Sequence, residues 1–341
     1  MSTARDHFAR RLRGIMPVRF DEPLARHTSF RIGGPADVYV QARTLDQAIA
    51  AVRAAWDLEL PVLVIGGGSN LLVLDGGVRG VVIEMRARHV EGWPTGRLPA
   101  SAPERLETFS GTIHSSSALD DDRRDDGAIE VVAEAGAPLA ALGRKTALQG
   151  LAGLEWAVDV PGTVGGAVVN NAGAHGGDIA GSISAALLLP PDGDPVWQPV
   201  ERLGLAYRTS MLKAAEVSQP RPLVLGAKFV LRRGDPLTLR AAVARYSQHR
   251  RATQPVGACA GSMFKNPPEQ AAGWYIERAE AKGLQVGAVR VSDLHGNFML
   301  NLGGATAADV LALVTLVQEK VRSRFGVSLE LEIQVVGEAA R

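Results

Sequence analysis

Pro61-Val62-Leu63-Val64-Ile65-Gly66-Gly67-Gly68-Ser69-Asn70 is an apolar run that breaks into three successive glycines. The run is short and rich in β-branched residues, so it predicts a buried strand. A strand that ends in glycines can bring backbone N–H groups up to a pyrophosphate, because no side chain stands in the way. The pattern is not the Rossmann fingerprint, since Leu71 stands where its third glycine belongs. It is not a P-loop either, since no Gly-Lys-Ser/Thr follows. A tight turn without a ligand is the other reading of this stretch taken alone.

A second glycine-rich region shifts that balance. Pro161-Gly162-Thr163-Val164-Gly165-Gly166 is followed by Asn170-Asn171-Ala172-Gly173-Ala174-His175-Gly176-Gly177. Two such loops on neighbouring strands can grip one extended dinucleotide from two sides. Neither offers the acidic residue that a Rossmann NAD site places downstream.

Outward from these loops the chain alternates helices and strands. An N-terminal helix precedes a strand at Asp37–Val40. Thr44 and Gln47 form a capping-box pair for a helix with Leu45, Ala48, Ile49, Val52 and Trp56 on its apolar face. Further strands are predicted at Leu71–Leu74 and Gly80–Glu84, around a turn at Asp75-Gly76-Gly77, and at Ile129–Glu134. Helices follow at Pro138–Leu148, at about 236–251 and at about 270–281, with strands at Ala185–Leu189 and Leu223–Leu231 between the first two. The last helix starts at a Thr306 cap, carries the stripe Val310, Leu313, Val314, Val317, Val321, and stops at Gly326. Leu329–Val336 reads as the final strand. From 87 to 127 Pro, Ser, Asp and Arg dominate, which predicts a solvated loop insertion.

Composition excludes several classes. Lys+Arg 37 against Asp+Glu 36 leaves a net charge of +1, so no global field argues for nucleic acid or a membrane surface. The first residues carry Arg5, Arg10, Arg11 and Arg13 without an apolar core, so they are not a signal peptide, and no apolar run is long enough to span a bilayer. One cysteine, Cys259, rules out an intrachain disulfide and a cysteine-built zinc site. The seven histidines are scattered, so no metal is expected. A cytoplasmic chain is expected.

Polar side chains then mark where chemistry can sit. Gly261-Ser262-Met263-Phe264-Lys265-Asn266-Pro267 packs a hydroxyl, an ammonium and an amide between a flexible glycine and a stiffening proline. That composition suits a loop that presents polar groups to a ligand. Ser262 has no His/Asp pattern of a hydrolase triad around it. Arg208, in Tyr207-Arg208-Thr209-Ser210, is either a surface ion-pair residue or a bidentate carboxylate holder. Glu330 and Glu332 alternate on the last strand and are expected on one side; solvated strand carboxylates are the alternative to a site role.

In order along the chain, Phe30-Arg31-Ile32-Gly33-Gly34-Pro35-Ala36-Asp37, Gly66-Gly67-Gly68-Ser69-Asn70, Pro161-Gly162-Thr163-Val164-Gly165-Gly166, Asn171-Ala172-Gly173-Ala174, Tyr207-Arg208-Thr209-Ser210, the Gly261–Pro267 loop, His295-Gly296-Asn297-Phe298 and Glu332 form one set. The set resembles the UDP-N-acetylenolpyruvoylglucosamine reductases (MurB), flavoenzymes of peptidoglycan synthesis, over about residues 20–337. The short connection from Tyr207 to Ser262 resembles the type II form.

The resemblance implies an α+β chain with an FAD-binding fold of the vanillyl-alcohol-oxidase/PCMH type in two subdomains, plus a C-terminal α+β substrate-binding domain. It implies an N-terminal helical extension at 1–21, FAD-binding subdomains at 22–86 and 128–225 around the 87–127 insertion, a substrate-binding domain at 226–328, and a final strand at 329–341. It implies non-covalent FAD, since Cys259 lies outside the flavin domain. Gly66, Gly67, Gly68, Ser69, Asn70, Leu71, Pro161, Gly162, Thr163, Gly165, Gly166, Asn171, Gly173 and Ala174 would contact it. His175 stands where the family often has an aromatic residue and is left out.

The partners implied are NADPH as reductant and UDP-N-acetylglucosamine enolpyruvate as substrate, acting on a monomer. Ser262 would protonate C2 after hydride adds at C3. Arg208 and a protonated Glu332 would hold the substrate carboxylate, and Tyr207, Lys265 and Asn266 would bind the rest of the substrate. Two rivals are another flavin oxidoreductase on the same fold, an alcohol or sugar oxidase, and an inert UDP-sugar-binding protein.

Overall fold

Each helix begins and ends where local chemistry dictates. The computed structural model describes residues 3–92, 127–213 and 221–340. Seven helices form within them: α1 Ala4–Arg11, α2 Leu45–Trp56, α3 Leu139–Leu148, α4 Val164–Asn170, α5 Pro236–Thr253, α6 Ala272–Arg278 and α7 Ala307–Phe325. At α7 the expected cap is present. Thr306 accepts from the Asp309 N–H while Asp309 accepts from the Thr306 N–H, and Gly326 closes the helix at φ +70°. Asp75 adds a second carboxylate at that end, accepting from the N–H groups of Ala307 (2.8 Å) and Ala308 (3.1 Å). The whole predicted stripe from Val310 to Val321 is buried. At α2 Thr44 caps as predicted, but Gln47 turns back to the N–H of Arg43 rather than of Thr44. Trp56, placed on the apolar face of α2, is only half-buried.

By contacts the chain falls into two units. One comprises Met1–Pro17, Val40–Gly66 and Ile83–Ser247; the other comprises Val18–Tyr39, Gly67–Val82 and Gln248–Arg341. The first unit is built on a six-stranded antiparallel sheet. Val196–Pro199, Ile183–Leu189, Leu223–Arg233, Ala128–Glu134 and Val90–Glu91 lie side by side in that order, and Leu151–Ala152 pairs with the far end of Leu223–Arg233. Alternate residues of these strands, such as Val131, Ala133, Phe229 and Leu231, are fully buried.

The second unit has its own core. Phe30, Leu72, Met263, Phe264, Ile276, Val289, Val310 and Leu313 belong to one buried cluster that a three-stranded sheet and α7 help to enclose. In this unit Gln334–Val336 runs parallel to Leu71–Val73. A further sheet has the order Val18–Pro23, Pro35–Ala42, Val78–Met85, Val62–Ile65.

Four expectations need correction. Val62–Ile65 forms, but at a sheet edge and only partly buried: Ile65 is 4% exposed and Val64 37%. The final strand is shorter than Leu329–Val336, because residues 330–332 cross over to pair with the Ser262 loop before Gln334 joins Leu71. The Pro161–Gly177 region is not loop throughout, since α4 occupies Val164–Asn170. The expected insertion starts too early: Val90 and Glu91 pair with Ala133 and Val132, filling the outer side of that strand. The rest of that insertion, 93–126, lies outside the described residues.

Candidate functional site

In the second unit the Ser262 loop is the middle chain of three. Met263 donates its N–H to the Asn297 carbonyl (2.9 Å), and Ser262 bridges to Phe298. On the other side the Glu332 N–H donates to the Met263 carbonyl (2.9 Å) and the Lys265 N–H donates to the Glu330 carbonyl (2.8 Å). One main-chain bond therefore ties the residue after Ser262 to Glu332. Gly261 opens the loop at φ +78°, beside the Ser69 carbonyl. Asn70 donates its side-chain amide to the Glu332 carbonyl (3.4 Å) and accepts from the Gln334 N–H (3.0 Å). Leu71 is buried as the first residue of its strand. Gly67, Gly68, Ser69, Asn70, Leu71, Ser262, Lys265, Asn266 and Glu332 thus share one unit.

Gly68 has a structural reason to be glycine. It sits at φ +60°, and a Cβ there would collide with the His27 carbonyl and stand 2.8 Å from the Thr28 Cα. The neighbours are backbone and cannot rotate away. Ser29 reinforces the approach: its N–H donates to the Gly68 carbonyl (3.1 Å) and its hydroxyl to the Cys259 carbonyl (2.6 Å). We expect Gly68→Ala to cost about 2–5 kcal/mol, the sum of left-handed strain and overpacking. The midpoint of urea unfolding reads that loss; an unchanged midpoint would contradict the collision.

Two polar groups of the loop already have protein partners. Lys265 Nζ lies 3.2 Å from Glu330 Oε2 in a partly exposed pair. Asn266 Oδ1 accepts from the Ala272 N–H at 3.0 Å, at the start of α6. Asn297, part of the His295–Phe298 motif but given no role in the sequence reading, binds both main-chain polar groups of Phe264 with its side chain.

His295 lies behind Asn297, with Nδ1 accepting the Asn297 N–H (3.1 Å), so the neutral ring carries its proton on Nε2. Burial holds its pKa below the usual imidazole value, Lys282 adds to the effect, and Glu277 opposes it. The unfolded chain therefore takes up this proton first. The contribution is fully present above the unfolded pKa of about 6.5 and is lost as pH falls from there to the folded pKa. Urea midpoints at about pH 7 and pH 5 should differ less in His295→Asn than in the parent. Equal differences would remove His295 from the account.

In the first unit, α4 and the hairpin after it organise the remaining residues. Asn171 ends α4 in the left-handed region at φ +41° and is 4% exposed. Its Oδ1 accepts from the Ala180 N–H (3.0 Å) and its Nδ2 donates to the Ala206 carbonyl (3.0 Å). Ala206 and Thr209 exchange two main-chain bonds of 3.1 Å, leaving Tyr207 and Arg208 at the tip of a tight turn. Arg208 is held at φ +56°, an uncommon conformation for a non-glycine residue. Its Nη2 donates to the Gly173 carbonyl (3.0 Å), its own carbonyl accepts from Lys213 Nζ (3.1 Å), and its guanidinium lies 5.5 Å from the centre of the exposed Tyr207 ring. Gly173 and Ala174 pair with Asp178 and Gly177 in the hairpin.

The first turn of α4 has no side-chain cap. Thr163 is its N-cap but makes no side-chain cap bond, and Pro161 and Gly166 are exposed. Gly162 lies at φ +112°. Val164 and Gly165 give their N–H groups to Ala137 and Ala135. A Cβ on Gly66 would collide with Thr163 Oγ1, whereas one on Gly166 would meet nothing nearer than 3.8 Å. With those two donors occupied, the exposed Gly166 is the part of the first turn that a ligand can approach.

Comparison with known proteins matches residues 36–102 and 106–189 to the FAD binding domain family, and residues 253–336 to the UDP-N-acetylenolpyruvoylglucosamine reductase C-terminal domain. The UDP-N-acetylenolpyruvoylglucosamine reductase of Chloroflexus aggregans is 41% identical over 94% of this chain and 97% of its own length. The chain belongs to the UDP-N-acetylenolpyruvoylglucosamine reductase (MurB) family. The reductase of Rubrobacter xylanophilus is 41% identical over 94% of this chain and 95% of its own. The crystal structure of MurB from Thermus caldophilus superposes with a TM-score of 0.70 at 32% identity, over 94% of this chain and 98% of that one. The MurB fold here is α+β, an FAD-binding fold of the vanillyl-alcohol-oxidase/PCMH type followed by the MurB C-terminal domain. Within the first unit, Gly66 and the exposed Gly166 leave room for the FAD that such a domain binds. Among the described residues no cluster of three or more His, Cys, Asp or Glu could hold a metal, and no helix is long and apolar enough to cross a membrane.

Proposed function

We propose that this chain is an NADPH-dependent flavoenzyme that reduces UDP-N-acetylglucosamine enolpyruvate to UDP-N-acetylmuramate in peptidoglycan precursor synthesis. The observation that carries the reading is the likeness, along 94% of the chain, to reductases of that name. Bound FAD would take up reducing equivalents from NADPH and deliver hydride to C3 of the enolpyruvyl group.

The residues of this chain supply the rest. Gly66, Gly67, Gly68, Ser69, Asn70 and Leu71, with Pro161, Gly162, Thr163, Gly165 and Gly166, line the cofactor, and its pyrophosphate faces these two loops. Asn171, Gly173 and Ala174 border the ring. Arg208 neutralises the substrate carboxylate as charge builds on C2, and Glu332 in its protonated form hydrogen-bonds the same group. Ser262 gives its hydroxyl proton to C2. Tyr207, Lys265 and Asn266 bind the sugar nucleotide; for Lys265 this means exchanging Glu330 for a phosphate. Residues 22–86 and 128–225 serve FAD and 226–328 serve the substrate. The protein works in the cytoplasm as a monomer.

The visible spectrum of the purified chain tests this. A yellow protein, bleached by NADPH and restored by the enolpyruvyl sugar nucleotide, is the expected result. A colourless chain that FAD does not reconstitute sinks the proposal. Rapid turnover with O₂ and no need for NADPH would favour an alcohol or sugar oxidase instead. Gly166→Ala is expected not to lower the unfolding midpoint of the flavin-free chain, because its Cβ has room and alanine suits a helix better, and to weaken FAD retention on gel filtration about ten-fold, roughly the 1.4 kcal/mol of one lost phosphate contact. Full retention would take the α4 turn out of the cofactor site.

A further inference from the structure

Asn297 is 3% exposed and uses each of its polar atoms. Its Oδ1 accepts from the Phe264 N–H (2.9 Å) and its Nδ2 donates to the Phe264 carbonyl (2.8 Å). Its own carbonyl accepts from the Met263 N–H (2.9 Å), and its N–H donates to His295 Nδ1 (3.1 Å). Three of these four bonds end on the two residues that follow Ser262. A primary amide presents an acceptor and a donor side by side, as a neighbouring strand would. The Asn297 side chain thus acts as a one-residue strand laid against the loop.

We infer that Asn297 is a positioning residue: its amide holds Phe264 and thereby fixes where the Ser262 hydroxyl stands. The inference rests on the reading of Ser262 as proton donor. With the amide in place, Met263 and Phe264 have every main-chain N–H and C=O engaged, from Asn297 on one side and, for the Met263 carbonyl, from Glu332 on the other. Gly261 at φ +78° sits immediately upstream and allows the chain to turn into this clamp. Ser262 is therefore the first residue of a segment held from both sides. Any residue at 297 would keep the main-chain bond to Met263. Only the amide supplies the pair on Phe264: a carboxylate lacks the donor, and leucine lacks both groups.

The test compares Asn297→Asp and Asn297→Leu with the parent, as flavin-loaded full chains, in the two half-reactions. Reduction of the flavin by NADPH should stay within about two-fold of the parent. Reoxidation by the enolpyruvyl substrate should slow about a hundred-fold, the cost of misplacing a reacting group by about 1 Å. In a Ser262→Ala background the same Asn297 changes should add no further slowing, because the group they displace is already gone. Equal loss in both half-reactions, or full additivity with Ser262→Ala, would make Asn297 a purely structural residue and overturn the inference. If Ser262→Ala alone leaves reoxidation untouched, the proton-donor reading fails first and takes this one with it. Should neither variant fold, hydrogen exchange on the parent decides: the Met263 and Phe264 amides must exchange only through global unfolding, and fast local exchange would show that no clamp exists.

Discussion

Ser262→Ala is expected to leave reduction of the flavin by NADPH at its full rate and to slow reoxidation by the enolpyruvyl substrate about a thousand-fold, within the range for loss of a general acid. In the proposed reaction, once C3 has received its hydride, the electron pair would sit on C2 and its carboxylate. Such an enolate is a stronger base than an alkoxide, so a serine hydroxyl can protonate it without first becoming an unusual acid. The demand falls on position instead. Ser262 meets it through its neighbours, for Met263 is tied to Glu332 on one side and to Asn297 on the other. Ser262→Cys keeps a donor in nearly the same place and should lose less than alanine. Stopped-flow absorbance of the two half-reactions checks this. Equal slowing of both would remove the proton-donor role.

The local elements were legible because their signals are local. Thr306 and Gly326 announce both ends of α7, and its stripe was read residue by residue. The ordered motif set led to the family. What the sequence did not carry is pairing at a distance. Nothing near Glu332 says that its N–H will meet the Met263 carbonyl, nor that Gly68 is glycine because the His27 carbonyl lies against it. The strand Val18–Pro23 went unread, since a charged segment ending in proline has none of the alternation that marks a strand. α4 was hidden by Gly165 and Gly166, which suit a helix poorly on propensity alone. Asn297 stands within the His295–Phe298 motif, but its role was not legible. A buried asparagine has no spacing rule, and its importance shows only when both of its amide atoms are found on Phe264.

Arg208→Ala should lower the rate of reoxidation by about 10²–10³-fold, or about 3–4 kcal/mol, the usual consequence of removing a preorganised charge from a developing anion. A structural role is the competing account, because the guanidinium also donates to the Gly173 carbonyl and its backbone occupies an unfavoured conformation at the tip of the turn. The two accounts diverge on Arg208→Lys. Lysine keeps the positive charge but not the planar fork, so it cannot hold Gly173 and a carboxylate in the same geometry. If the charge matters, lysine should recover roughly ten-fold of the rate lost with alanine, since a point charge still stabilises the enolate. If the bond to Gly173 matters, lysine and alanine should be alike, and both should lower the unfolding midpoint and loosen FAD. The turn itself gives grounds for the first outcome. The Ala206–Thr209 bonds and the Asn171 amide on the Ala206 carbonyl also hold the turn. The left-handed arginine on this turn motivates the charge account, in which the strain would serve a carboxylate that gains charge during the reaction.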